Sequence, residues 1–61
     1  MYDTIETYKR TLTIDIKVRE DSEFYYVSVW VNDRFITQYK NKDYYKAKNK
    51  ALNFAITYYE V

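Results

Sequence analysis

Side chains able to do covalent or acid–base chemistry are scarce in this 61-residue chain, which has no Cys and no His. That removes thiolate nucleophiles, disulfides, the usual zinc ligands and the side chain that most often moves protons near neutral pH. A general base would have to be a carboxylate, which works near neutrality only where a pocket or a neighbour raises its pKa. The acids here fall in the wrong places. Glu20, Asp21 and Glu23 crowd one turn that lacks the ligand count and the glycine of a calcium loop, and Asp15 lies two residues from Lys17, a spacing that suits an ion pair. The expectation is a protein that is not an enzyme and carries no metal and no cofactor.

Chemistry of the non-covalent kind is better supplied. Aromatic residues make up 21% of the chain, with nine Tyr and one Trp, and rings bring large contact areas at low entropic cost. Phe24, Tyr26, Trp30, Phe35 and Tyr39, with Arg19 beside them, are the residue types that dominate protein-binding hot spots. They form the first candidate site, an interface for another protein or for a second copy in a homodimer. The expected role is an inhibitor or adaptor of a nucleic-acid-handling partner, of the kind a phage or mobile element encodes.

The alternative is direct nucleic-acid binding, with bases stacked on the rings and Lys17, Arg34, Lys40, Lys42, Lys46 and Lys48 meeting phosphates. Net charge is only +1, but it is unevenly spread. Residues 1–31 carry −2 and residues 32–50 carry +4. That is a local basic bias, small beside the patches of strong nucleic-acid binders.

Positioning these side chains requires strands and one helix. From Thr11 to Arg19, Leu12, Ile14, Ile16 and Val18 alternate with Thr11, Thr13, Asp15, Lys17 and Arg19, the pattern of a strand with one buried face. Residues 20–23 are turn material. A second strand covers Phe24 to Val31, Asn32 and Asp33 make a two-residue hairpin turn, and a third strand runs from Arg34 to Lys40. This register sets Val29 opposite Ile36 and Trp30 opposite Phe35. It produces an aliphatic face that includes Val27, Val29, Val31 and Ile36, and an aromatic face that includes Tyr39.

The last third, Asp43 to Tyr59, reads as one amphipathic helix. Asp43 is its N-cap, and Ala47, Ala51 and Ala55 form a flat stripe that lets a sheet approach closely. Residues 1–10 are ambiguous between a helical turn and an early extension of the first strand. The expected fold is thus α+β, a three-stranded antiparallel sheet with one C-terminal helix on its aliphatic face, in the order β-β-β-α. All 61 residues make a single domain, and such a chain buries only about 60% of its unfolded surface. No apolar run approaches the roughly 18 residues of a membrane span. The expectation is an intracellular, cytoplasmic protein with no membrane partner and no small-molecule substrate.

Residues 24–56 resemble the C-terminal part of the double-stranded-RNA-binding domain. The family shows an alternating strand ending in Val-Asn-Gly and a last helix that opens Ser-Lys-Lys-x-Ala-Lys-x-x-Ala-Ala. Here Tyr25, Val27, Val29, Val31 and Asn32 match the strand, Asp43 takes the place of the serine, and Ala47, Lys48, Ala51 and Ala55 match the helix. The resemblance implies the strand-strand-strand-helix topology. It implies less for activity, because Tyr44 and Tyr45 replace two lysines at the helix start and the first turn is acidic where a duplex needs the opposite charge.

Overall fold

The computed structural model describes residues 2–59. Four strands, β1 (Asp3–Lys9), β2 (Thr13–Glu20), β3 (Tyr25–Val31) and β4 (Arg34–Asn41), precede one helix, α1 (Tyr44–Tyr59). The sheet is an antiparallel meander in the order β1-β2-β3-β4, and the helix packs mainly over β3 and β4, with less on β2. The α+β class and the single C-terminal helix match the sequence reading. The three-stranded sheet does not.

The fourth strand comes from the ambiguous N-terminal residues. Alternation there is broken by a bulge between Thr4 and Glu6, which hides the period of two that marks a strand. Residues 10–12 then turn the chain without Gly or Pro, closed by Arg10 N–H donating to Leu12 O at 3.1 Å. Thr11 and Leu12 therefore belong to a turn, and the strand expected from Thr11 begins at Thr13.

The other two connections follow local chemistry. Asn32 and Asp33 adopt φ of 51° and 66°, the left-handed pair of a two-residue hairpin turn. Asn32 also accepts from Thr13 N–H through Oδ1 at 3.0 Å, which ties this turn to β2. In the first long turn Asp21 Oδ1 accepts the N–H groups of Glu23 and Phe24, both at 2.9 Å. Asp43 caps the helix as expected, its Oδ1 accepting Tyr45 N–H at 2.9 Å and Lys46 N–H at 3.3 Å.

Registers decide which side chains face the helix. Ile14 pairs with Val31, Ile16 with Val29 and Val18 with Val27; pairing Ile16 with Val27 and Ile14 with Val29, as a loop at Asp21 and Ser22 would require, is two residues out but leaves the same faces. Ile14, Ile16, Val27, Val29, Ala47 and Ala51 are fully buried, with Ala55 and Val31 nearly so. Each large side chain in that layer contributes roughly 1.5–3 kcal/mol.

In β4 the expectation fails beyond Phe35. A bulge after Val29 leaves Trp30 opposite Phe35 but sets Val29 opposite Thr37, not Ile36. One extra residue reverses which side every later side chain faces. Ile36, read as core, is 37% exposed, while Tyr39, read as part of the aromatic face, moves to the helix side and packs edge-on against Phe54 with ring centroids 6.4 Å apart.

Ala51→Glu is expected to cost on the order of 3 kcal/mol or more through overpacking and a buried charge, the whole stability of a domain this small, about 3–5 kcal/mol. A thermal melt followed by circular dichroism checks it: no cooperative transition is expected, and a parent-like melt contradicts this helix packing.

Candidate functional site

Among the described residues no element covers the side of the sheet opposite α1. Alternation along β2 and β3 sends Lys17, Arg19, Tyr26, Ser28 and Trp30 to that side, and cross-strand pairing adds Phe35, Gln38 and Lys40 from β4. We call it the open face.

Two ring clusters stand on it. At one end Trp30 meets Phe35 edge-on at 5.6 Å and Tyr2 at 5.9 Å between centroids. At the other, Phe24 and Tyr26 lie 6.5 Å apart. Cations sit over the rings in both: Lys17 Nζ is 4.4 Å from the Trp30 centroid and the Arg19 guanidinium carbon 4.2 Å from that of Tyr26. Lys40 and Lys42 approach Phe24 at 4.5 and 5.9 Å. At exposed positions such contacts are worth about 0.5–1 kcal/mol each, enough to order a long side chain and too little to hold it there against a better partner.

Polar groups beneath this layer are paired. Ser28 is fully buried. Its hydroxyl donates to Lys17 O at 3.2 Å and accepts Trp30 Nε1–H at 2.9 Å, fixing the indole edge. Tyr2 donates its hydroxyl proton to Gln38 Oε1 at 2.6 Å, a link between the start of the chain and β4. Two carboxylates share the surface, and each already accepts a hydroxyl: Asp15 from Thr7 at 2.7 Å and Asp21 from Tyr26 at 2.7 Å.

The Tyr26 hydroxyl, then the Glu23 and Phe24 amides, pull the Asp21 pKa from its ordinary 3.8 to about 2, with a smaller contribution from Arg19. The same bond to Asp21 is the main cause that raises Tyr26 above its ordinary 10.0.

The structure brings together Phe24, Tyr26, Trp30, Phe35 and Arg19 from the expected protein interface, with Lys17, Lys40 and Lys42 from the expected phosphate set. It separates the rest. Tyr39 faces the helix. Arg34 pairs with Val31 at the hairpin end, and Lys46 is exposed on the helix. Lys48 is half-buried, its Nζ 3.8 Å from Glu6 Oε2. Glu6 Oε1 accepts the Tyr8 hydroxyl at 2.8 Å, so this pair ties β1 to the helix. Tyr2 is the residue that the sequence reading missed: a first strand would have placed it near the open face, but the bulge concealed that strand.

On the helix side an apolar cleft of about 290 Å³ is lined by Tyr8, Leu52, Ala55 and Ile56, and Ile56 is 47% exposed. Among the described residues no group of acids could hold a metal ion, and no helix is long and apolar enough to cross a membrane.

No family model matches the chain, and neither does any curated protein or solved structure. Asp3–Lys9 form a strand, and Tyr44 and Tyr45 meet edge-on with centroids 5.2 Å apart at the start of α1.

The pKa shifts at the first turn set a pH dependence. Asp21 is depressed in the folded chain, so its contribution is intact above about pH 4 and is lost as pH falls through about 2. Tyr26 is raised, so its contribution is intact below pH 10 and is lost at higher pH. A carbon-13 NMR titration is expected to place the Asp21 carboxylate midpoint at about 2. A midpoint near an ordinary carboxylate's, about 4, contradicts the turn geometry.

Proposed function

We propose that this chain is a small non-catalytic binding protein, an adaptor or inhibitor, that docks through its open sheet face onto the acidic surface of another macromolecule. The observation that carries the reading is the pairing of cations with rings on the one face that no helix covers: Lys17 with Trp30, Arg19 with Tyr26, and Lys40 and Lys42 with Phe24. Exposed rings in a group, rimmed by charge, are characteristic of interaction surfaces.

The sign of the charge selects the partner. Two copies meeting open face to open face would set these four cations against each other, which costs several kcal/mol of affinity. A homodimer through this face is therefore disfavoured, and an acidic partner gains where a second copy loses. A hydroxyl donor carries no net charge, so Asp15 and Asp21 offset part of the positive potential of the four cations without reversing its sign.

The test is retention on immobilised heparin and on immobilised poly-L-glutamate. The pair Lys17→Glu with Lys40→Glu is expected to abolish retention at low salt. The pair Lys46→Glu with Lys50→Glu changes net charge equally on the exposed side of the helix and is expected to reduce retention only slightly. Equal losses from the two pairs, with circular dichroism unchanged, would show that the open face holds no privileged role.

A further inference from the structure

We infer that the acidic partner is single-stranded nucleic acid, an assignment that rests on the docking-face reading and gives its ligand a chemical class. The open face does not present charge alone. It presents rings and cations in alternation, Phe35, Trp30 and Lys17 at one end, Arg19, Tyr26, Phe24, Lys40 and Lys42 at the other. A single strand has the same alternation, with a flat base and a phosphate in every unit, so each ring can meet a base while its neighbouring cation meets the backbone.

An acidic peptide supplies the charges but leaves the rings unmatched. A duplex supplies phosphates but keeps its base faces stacked against one another, out of reach of a flat sheet. Phe35 is the most accessible ring of the open face, 51% exposed at the β4 edge. Trp30 lies beside it with its indole held by the Ser28 hydroxyl, a stacking partner already fixed in orientation.

Tyr26 and Trp30 are four residues apart on β3, about 13 Å at strand rise, so the two clusters fit within the several nucleotides that one such platform covers. On binding, the lysines exchange a ring face for a phosphate oxygen, releasing the ring for the base.

The chain contains one tryptophan, and it belongs to one of the two ring clusters of the proposed contact, so the wild-type protein reports on itself. Titration at low salt with an oligothymidylate of roughly 12 nucleotides, within the usual site sizes, is expected to quench Trp30 fluorescence saturably. With four cations at about 0.7 released ions each, log Kd should rise with log salt with a slope of about 3. Phe35→Ala, at an exposed position, is expected to weaken binding roughly tenfold, the loss of one stacked base. An oligouridylate of the same length tells ribose from deoxyribose, and saturable quenching by either supports the assignment.

Three results would overturn it: no saturable quench with either oligonucleotide, equal affinity for Phe35→Ala, or a duplex or poly-L-glutamate that binds as tightly as the single strand. Any of these, with heparin retention still lost in the Lys17 and Lys40 double variant, removes the nucleic acid and leaves the docking face. Loss of that face dependence removes both.

Discussion

One helix cannot cover a four-stranded sheet, and the remaining features of the molecule follow from that shortage. A 16-residue helix is about 24 Å long and about 10 Å wide with its side chains, while four strands at about 4.8 Å spacing offer two faces to bury. Ala47, Ala51 and Ala55 bring the helix backbone close to β3 and β4, where Val27 and Val29 disappear completely. What the helix gains in closeness it loses in breadth. The helix side of β1 is left with the cleft beside Tyr8 and Ile56 and with the Glu6–Lys48 pair that ties it to the helix, and among the described residues no element covers the opposite face.

The open face solves its exposure problem with long side chains. Lysine and arginine stems lie along rings while their charges remain in water, and Tyr2 adds an edge contact to Trp30 together with a hydrogen bond to β4. Ser28 shows that this is a layer with an interior: its hydroxyl is fully buried yet both donates and accepts. Such a layer is stable enough to persist and weak enough, contact by contact, to be rearranged by a partner that offers phosphate or carboxylate oxygens. In the proposed role the same side chains cover the rings in the free chain and meet the partner in the bound one.

Much of this was legible in the residues, and the misses have physical causes. The alternation of Leu12, Ile14, Ile16 and Val18 and of Val27, Val29 and Val31 identified the helix-facing side, and Asp43 and the alanine spacing located the helix, because these signals are local and periodic. The Asn32–Asp33 turn was readable since so few residue pairs tolerate two positive φ angles. Both misses are bulges. Near Ile5 and near Ile36 a single extra residue breaks the period of two, and no residue type announces it. The first bulge concealed β1 and with it Tyr2; the second exchanged Tyr39 for Lys40 on the open face, replacing a ring by a cation and making that face more basic than the alternation indicated.

The most direct measurement is a map of backbone amide shifts in the isotope-labelled chain as single-stranded oligonucleotide is added. Changes confined to Lys17, Arg19, Tyr26, Trp30, Phe35 and Lys40, with the exposed helix positions Lys46 and Lys50 unmoved, are the expected result. Changes concentrated on the helix, or spread evenly over the surface, would contradict the central claim that the uncovered face of the sheet is where this protein meets its partner.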